Sequence, residues 1–190
     1  MKKMFVCMLA FAFAGVVSTA AAEPVKFKKV KILNHDFSIE SAKGVIGWGL
    51  QSRQAPGIFT VVKSGDGNYL SVTPEKSTIP NNNRVRTQVM STTKFTAVPG
   101  DKVKISLEMR SPEGGSAGVM IWDGRYNQWA TWKRAVGKEW QQVSLEYTIK
   151  PGVKDPDPGA SRFCQFALDV WDKPVFLRNV KVMHKRENSK

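Results

Sequence analysis

Residues 101–110 read DKVKISLEMR and residues 141–149 read QQVSLEYTI, and both stretches alternate between apolar and polar side chains. In the first stretch the apolar side chains fall on the odd numbers, from Val103 to Met109. Successive side chains of a β-strand point to opposite faces of the sheet. Each stretch therefore predicts a strand with one buried and one solvated face.

Further stretches rich in β-branched and aromatic residues are separated by turn sequences such as SGDGN, IPNNN and PEGG. We predict strands within residues 25–33, 57–63, 69–74, 83–90, 94–98, 117–123, 128–136, 163–170 and 175–183. About ten short strands with frequent turns are typical of a β-sandwich or barrel, and the chain length fits a jelly roll. The predicted fold class is all-β, a two-sheet antiparallel β-sandwich.

The first 22 residues have the composition of a secretory signal peptide, because two lysines precede an uncharged apolar run and the small residues of STAAA suit cleavage. The apolar run, about 14 residues, is shorter than a membrane-spanning helix requires. We therefore predict a secreted or periplasmic protein that begins at Glu23 and has no membrane span. Residues 23–184 would form a single β-sandwich domain, and residues 185–190 a basic C-terminal tail.

The formal net charge is +13, and the two lysines of the first 22 residues carry two of these charges, which leaves +11 for the exported chain. This balance favours acidic partners, while export argues against nucleic acid. Of the two cysteines, Cys7 belongs to the signal peptide and Cys164 lies among apolar residues. The exported chain therefore has no internal disulfide, and Cys164 is expected to be a buried hydrophobe.

Residues 121–132, IWDGRYNQWATW, combine four aromatic rings with several hydrogen-bonding side chains. A core seldom contains this mixture, because buried indole N–H and phenol O–H groups need partners. A sugar, in contrast, needs rings against its C–H faces and planar polar groups against its hydroxyls. The stretch therefore predicts a carbohydrate-binding hairpin with DGRYN as its turn. The candidate binding residues are Trp122, Arg125, Tyr126, Asn127, Gln128, Trp129 and Trp132. Among them, Arg125 could also pair with a uronate carboxylate.

Trp129 and Trp132 are three residues apart, so on a regular strand their rings would face opposite sides. One ring should then be exposed, and the flanking residues favour Trp129 as the outward one. The alternative is that Trp122 and Trp132 pack in the sandwich and Tyr126 is only a turn residue. The three remaining tryptophans, expected in the core or at its edge, are Trp48, Trp140 and Trp171.

Four segments resemble jelly-roll carbohydrate-binding modules of the kind attached to cellulases and xylanases. LNHDFSIESAKGVIGWGL (33–50) is similar to their N-terminal signature, and FTAVPGDKVKISLEMRS (95–111) to their next strand, turn and strand. GKEWQQVSLEYTI (137–149) is similar to their Trp-led strand, and VFLRNVKV (175–182) to their closing strand. The segments occur in the family's order and cover nearly the whole exported chain. The resemblance implies a galactose-binding-like β-sandwich and a non-catalytic protein that binds a polysaccharide or oligosaccharide.

The resemblance also bears on metal binding, since many members hold a structural calcium with oxygen ligands near the two chain ends. Asp36 remains as a ligand candidate. The family's closing strand usually has an aspartate before Asn-Val, and here that place is Arg178, whose charge would repel the ion. We therefore predict neither calcium nor any other cofactor.

Two alternatives remain open. The first is a polysaccharide lyase acting on uronate polymers, because the chain partly resembles alginate-cleaving lyases. The matching residues are Glu108 and Arg110 in LEMR and Tyr126 and Gln128 in RYNQ. Those enzymes also need a Gln-x-His strand, whereas His35 and His184 lack that setting and are expected to be ordinary surface residues. The second alternative is an envelope β-sandwich that uses the same rings to bind a protein.

Overall fold

The computed structural model describes residues 26–39, 41–51, 55–123, 127–151, 157 and 159–187, which leaves the predicted signal peptide outside. Within these ranges the chain forms thirteen β-strands and no helix. The strands are β1 (Lys28–Val30), β2 (Trp48–Leu50), β3 (Gly57–Val62), β4 (Tyr69–Pro74), β5 (Arg86–Ser91), β6 (Phe95–Ala97), β7 (Lys102–Arg110), β8 (Ser116–Trp122), β9 (Asn127–Trp129), β10 (Arg134–Ala135), β11 (Gln141–Thr148), β12 (Arg162–Trp171) and β13 (Val175–Lys185). This part of the chain accordingly has no helix that could cross a membrane.

Two antiparallel sheets face each other, which confirms the predicted all-β sandwich. The six-stranded sheet has the order β11-β7-β13-β4-β3, with β1 also paired to β13. The seven-stranded sheet has the order β10-β8-β12-β5-β2, with β6 paired to β12 and β9 paired to β8.

The two alternating stretches pair as neighbouring strands at the edge of the six-stranded sheet. Their apolar side chains are in register, with Val103 opposite Tyr147 and Leu107 opposite Val143. The apolar side chains of β7 are buried, as predicted, whereas those of β11 remain half-buried because β11 is the edge strand.

The core lies between the sheets and includes two side chains assigned to it from the sequence. Trp48 is buried, and its ring lies 5.4 Å from Phe37 and 5.8 Å from Phe166, centroid to centroid. Cys164 is also buried, and burial raises the pKa of its thiol to about 12. The thiol is therefore protonated and unreactive at neutral pH.

The outer face of the seven-stranded sheet is made by the side chains that alternate with the core residues. On β12 the core side chains run from Cys164 to Val170 on even numbers. The odd-numbered side chains, including Asp169 and Trp171, must then face away from the core. The neighbouring strands are β8 on one side and β5 on the other, and they add their own outward side chains to this face.

Candidate functional site

Three indole rings meet on the outer face of the seven-stranded sheet. Trp129 ends β9, Trp171 ends β12, and Trp132 lies in the segment before β10. The ring centroids of Trp129 and Trp132 are 4.1 Å apart, and that of Trp171 is 6.1 Å from Trp129 and 6.5 Å from Trp132. Trp171 is 9% exposed, whereas Trp132 is 62% exposed. The outermost ring thus stands in solvent and is supported by the other two.

A β-bulge brings Trp129 and Trp132 to the same face, so the expectation that they face opposite sides is wrong. The N–H groups of Ala130 and Thr131 donate to the same carbonyl oxygen, that of Val119, at 3.0 and 3.2 Å. Two residues therefore oppose one, which is the defining feature of a bulge. An inserted residue reverses the alternation of side chains beyond it.

This bulge and a second inserted residue before β10 interrupt the strand predicted over residues 128–136. Between its pairs with β9 and β10, β8 advances from Met120 to Ala117, while the opposing chain advances from Trp129 to Arg134. Neither ring belongs to the core cluster, and Trp132 is the more exposed one, contrary to the choice made from the sequence. Trp171 is buried, as expected from the sequence, but it lies outside the core cluster between the sheets.

The indole rings lie over a strand position that has no side chain. Gly118 is in the middle of β8, and a Cβ there would stand 2.8 Å from a ring carbon of Trp129 and 3.0 Å from one of Trp171. Real Cβ atoms do not approach other atoms so closely, so both rings depend on glycine at this position.

An ion pair between half-buried Arg86 and buried Asp169 lies beside the rings. Arg86 Nε donates to Asp169 Oδ1 at 2.8 Å, Arg86 Nη2 donates to Oδ2 at 2.5 Å, and Gln88 Nε2 donates to Oδ2 at 3.2 Å. Burial raises the pKa of Asp169, and the hydrogen bonds from Arg86 and Gln88 only partly offset that rise. The guanidinium carbon of Arg86 is also 5.6 Å from the ring centroid of Trp171. The pair therefore joins β5 to β12 and supports the indole cluster from one side.

An open cavity of about 500 Å³ lies against the cluster and is lined by Trp132, Trp171, Asn83 and Arg84, among others. A second hollow of about 170 Å³ shares Arg84 with it and extends to Gln88. Asn83 and Arg84 belong to the turn between β4 and β5, so this turn forms a wall that faces the rings. We call the two adjoining hollows, lined by these five residues, the indole cleft.

The predicted hairpin is present, although it does not supply the whole cleft. β8 pairs with β9, and Trp122 lies opposite Asn127. Trp122 is half-buried and lies at the far end of β8 from the indole cluster. Arg125 and Tyr126, together with the side chain of Asn127, lie outside the described residues.

Gln128 is not available to a ligand, which corrects its place in the predicted site. Its amide nitrogen donates to Asp123 Oδ2 at 3.0 Å and to the Lys150 carbonyl oxygen at 2.9 Å. Its amide oxygen accepts from the Lys150 N–H at 2.7 Å and from the Tyr147 hydroxyl at 3.3 Å. All four positions of the amide are thus occupied. Burial, assisted by the charge of Asp123, raises the pKa of Tyr147 and keeps its hydroxyl a donor.

Sequence reasoning missed the part of the cleft that comes from other strands. Trp171, Arg86 and Gln88 reach the indole cluster because β12 and β5 follow β8 across the sheet, an order that is not visible in the sequence. One local signal was available, the turn sequence PNNNR (80–84), in which three amides and a guanidinium follow one another. Such a run of planar polar side chains in a turn is suited to ligand binding.

The outer face of the six-stranded sheet carries a different aromatic cluster. Trp140 lies there and not in the core, with the guanidinium carbons of Arg178 and Arg110 at 4.3 and 4.9 Å from its ring centroid. Arg110 is also 5.7 Å from the Tyr69 ring and 5.3 Å from the Phe176 ring. We call these five residues the capped cluster, because cation–π contacts with guanidinium groups cover its rings.

The residues of the lyase hypothesis are not brought together. Arg178 Nε donates to Glu108 Oε2 at 2.7 Å, and Asn179 Nδ2 donates to Oε1 at 2.9 Å, on the outer side of the six-stranded sheet. The hydrogen bond from Asn179 and the contact with Arg178 lower the pKa of Glu108, although burial opposes them. Gln128 is held at a different place by its own partners, and Tyr126 lies outside the described residues.

Two further sequence expectations concern metal ligands and histidines. Among the described residues, no three His, Cys, Asp or Glu side chains are grouped so as to hold a metal ion. Asp36, the calcium candidate, accepts from the N–H and hydroxyl of Ser38 at 3.3 and 2.9 Å. His184 is not an ordinary surface residue, because its Nε2 lies 2.8 Å from Asp101 Oδ2 and 12% of its side chain is exposed. The strand that carries it continues to Lys185, the first residue of the predicted tail.

Comparison with known proteins supports the fold. No protein-family model matches the sequence, and no curated protein sequence does. A Stig cyclase from Fischerella sp. TAU, solved with an indole derivative, is similar at TM-score 0.55 and 11% identity, over 86% of this chain and 100% of the cyclase. A CBM4 structure is similar at TM-score 0.52 and 14% identity, over 80% of this chain and 99% of that one.

The CBM22-1 xylan-binding domain of Xyn10C from Paenibacillus barcinonensis is similar at TM-score 0.50 and 13% identity, over 88% of this chain and 100% of the domain. At such low identity these likenesses show the fold alone. The chain thus has the β-sandwich fold of carbohydrate-binding modules, as the sequence resemblance implied, and the same fold also occurs in a cyclase.

Proposed function

We propose that the indole cleft binds a polysaccharide or oligosaccharide, with a sugar ring stacked on Trp132, and that the protein catalyses no reaction. One observation carries this proposal: the Trp132 indole is 62% exposed, stands beside an open cavity of about 500 Å³, and contacts Trp129 and Trp171. An exposed ring that is already held in place loses little conformational entropy when a ligand binds.

The chemistry of the cleft suits a sugar better than a purely apolar ligand. The indole can cover the C–H face of a pyranose, and the hydroxyls at the rim of the sugar need donors and acceptors. The amide side chains of Asn82 and Asn83 line these hollows and offer both kinds of group. A protein ligand would instead favour a larger apolar surface around the ring.

The acidic side chains near the cleft support binding without catalysis. Asp169 is buried and accepts hydrogen bonds from Arg86 and Gln88. Asp172, which lines the cavity, lies 2.8 Å from Lys133 Nζ. A general acid or base must be free to reach the substrate, and both carboxylates are engaged by cations.

The shared fold and the start of the chain support the biological setting that we propose. A xylan-binding domain and a CBM4 structure have the same β-sandwich fold. The first 22 residues resemble a signal peptide, which supports a secreted or periplasmic location. The positive net charge favours acidic glycans among the candidate ligands.

A glycan array probed with the exported chain, followed by titration calorimetry with the glycan that binds, tests the proposal. Trp132→Ala should weaken binding at least about tenfold, which corresponds to about 1.4 kcal/mol. Trp140→Ala is the matched control, because it removes an indole from the opposite outer face, where guanidinium groups cover the ring.

The proposal is overturned if the array shows no glycan binding, or if Trp132→Ala and Trp140→Ala weaken binding equally. Capture of an envelope protein with no response to any glycan would favour the protein-binding alternative. Release of unsaturated uronides from alginate or pectin would establish a lyase. Far-UV circular dichroism of both variants verifies that they are folded.

A further inference from the structure

The indole cleft contains three cationic side chains, and two of them are neutralised by acidic partners. Arg86 is paired with Asp169, and Lys133 Nζ lies 2.8 Å from Asp172. Arg84 lines both hollows of the cleft and is exposed. Among the described residues, no carboxylate lies within ion-pairing distance of its guanidinium, so Arg84 is the cleft's uncompensated charge.

Arg84 is held by an ordered backbone. Its carbonyl oxygen accepts from the Ser77 N–H at 2.9 Å, and its own N–H donates to Asn82 Oδ1 at 3.1 Å. Beyond it, Lys76 and Val85 form an antiparallel bridge that closes the turn. The guanidinium is therefore presented from a fixed point of the cleft wall, so that its cost of ordering on binding is confined to the side chain.

We infer that Arg84 pairs with a carboxylate of the bound glycan and that the ligand of the indole cleft is a uronate-containing polysaccharide. The inference rests on the function proposed above. A guanidinium donates two parallel N–H bonds to a planar carboxylate, which a neutral sugar cannot accept in the same way. Arg86 and Lys133 are already paired with Asp169 and Asp172, so the carboxylate of the glycan would bind Arg84. The position of Arg84 would then determine which sugar unit lies on Trp132.

The net charge of the protein does not explain selective binding of a carboxylate at the indole cleft. Residues 23–190 carry a formal charge of +13 − 2 = +11, which is spread over the chain and attracts any polyanion without selecting one face. The attraction due to Arg84, in contrast, acts at a single position next to the stacked ring. A test must therefore separate the loss of one local contact from the loss of one unit of net charge.

The experiment compares polygalacturonate with its fully methyl-esterified form, which has the same backbone without the charge. Affinity for each is measured by calorimetry or by affinity gel electrophoresis at 50 and 150 mM salt. The exported chain should bind the free acid about 3- to 10-fold more tightly than the ester, and the preference should shrink with salt. In Arg84→Gln most of this preference should be lost, leaving only the part that the net charge produces, and Arg84→Lys should keep more of it.

Lys104→Gln is the matched control, since it removes the same charge from an exposed position on the outer face of the six-stranded sheet. Its acid-to-ester ratio should equal that of the unmodified protein. The inference fails if Arg84→Gln keeps the ratio, if Lys104→Gln lowers it equally, or if dextran sulfate binds as tightly as polygalacturonate. Tight binding of the ester that depends on Trp132 would leave the proposed function intact, whereas binding of neither polymer nor any array glycan would overturn both.

Discussion

The two outer faces of the sandwich both carry aromatic rings and arginines. Guanidinium groups cover the ring of Trp140 on one face, whereas the ring of Trp132 on the other face is exposed. In the capped cluster, two guanidinium carbons lie 4.3 and 4.9 Å from the centroid of Trp140. On the other face, the Trp132 ring packs against the indoles of Trp129 and Trp171 and borders an open cavity. An aromatic residue on an outer face can thus serve as a ligand platform only where no cation already covers its ring.

The difference in ring exposure follows from the residues on the strands next to each ring. On the six-stranded sheet, Arg110 lies opposite Phe176, so guanidinium and ring alternate between neighbouring strands. On the seven-stranded sheet, the position beneath the rings is Gly118, and the nearby Arg86 is bound to Asp169. The cations of the seven-stranded face therefore lie against Trp171, with Arg86 at 5.6 Å and Lys133 at 6.0 Å from its ring centroid, and leave the ring of Trp132 open to a ligand.

The largest loss of stability is expected from a substitution of Gln128, the buried residue next to Trp129 on β9. Gln128→Leu removes four hydrogen bonds, so that Asp123 and Tyr147 each lose one partner and the Lys150 backbone loses two, one at its carbonyl oxygen and one at its N–H. We expect unfolding free energy to fall by about 3 kcal/mol, because buried polar groups without partners are costly. Urea unfolding followed by intrinsic fluorescence measures the loss.

A second readout for this variant is the thiol of Cys164. Burial raises its pKa to about 12, so folded protein comprising residues 23–190 should not react with Ellman's reagent at pH 8. Gln128→Leu should increase the rate of labelling through more frequent opening. An unchanged rate together with an unchanged urea midpoint would show that Gln128 does not support the hairpin.

Gly118→Ala tests whether the rings depend on the missing side chain. The added Cβ would lie 2.8 Å from Trp129 and 3.0 Å from Trp171, so the rings must shift. Overpacking of this kind costs about 1–3 kcal/mol, and we expect glycan affinity to drop at least about tenfold as well. Gly49→Ala in the same sheet is the control, since nothing lies within 4 Å of its Cβ position. Equal behaviour of the two alanine variants would contradict the close contact.

Trp140→Ala and Trp132→Ala should show opposite effects, which sharpens the contrast between the faces. Loss of Trp140 removes a half-buried ring and its contacts with Arg110 and Arg178, and should lower the free energy of unfolding by about 1–2 kcal/mol without a change in glycan affinity. Loss of the exposed Trp132 should change stability by less than about 0.5 kcal/mol while abolishing tight binding. If one variant lost both properties, the separation of roles would not hold.

The fold was predictable from the sequence because its signal is local. Alternation in residues 101–110 and 141–149 fixed which side chains point inward, and those two strands pair with these side chains in register. The same rule separates Gln128 from Trp129, although both were placed in the candidate site. The structure places them accordingly, with Gln128 buried and Trp129 on the outer face.

The site was only partly predictable because it depends on an inserted residue and on strand order. No glycine or proline marks the bulge at Ala130 and Thr131, yet it reverses the alternation and carries Trp132 to the outer face. Trp171 and Arg84 lie beside Trp132 only because of the order of strands in the sheet, which brings together residues far apart in the chain. Local patterns carry no information on such pairings.

The smallest predicted effect concerns the ion pair of the six-stranded face and its dependence on pH. The hydrogen bond from Asn179 and the contact with Arg178 lower the pKa of Glu108 below its ordinary value of 4.5. A lowered pKa means that the ionised group stabilises the folded state fully above pH 4.5, and that this contribution is lost as pH falls through the folded-state pKa. The side chains are partly exposed, so the contribution should stay below about 1 kcal/mol.

Urea unfolding of the unmodified protein and of Glu108→Gln at pH 7, 5, 4 and 3 measures this contribution as a difference. The difference should be constant between pH 7 and 5 and should shrink towards pH 3, because only the unmodified protein can bind a proton at this position. Asn179→Gly is the informative second variant, since glycine keeps the backbone φ of 55° and removes the amide donor. In a double-mutant cycle the pH-dependent difference should become smaller in the Asn179→Gly background. A difference that stays constant from pH 7 to 3 would show that Glu108 contributes packing and not charge, and the capped cluster would then owe its stability to its rings alone.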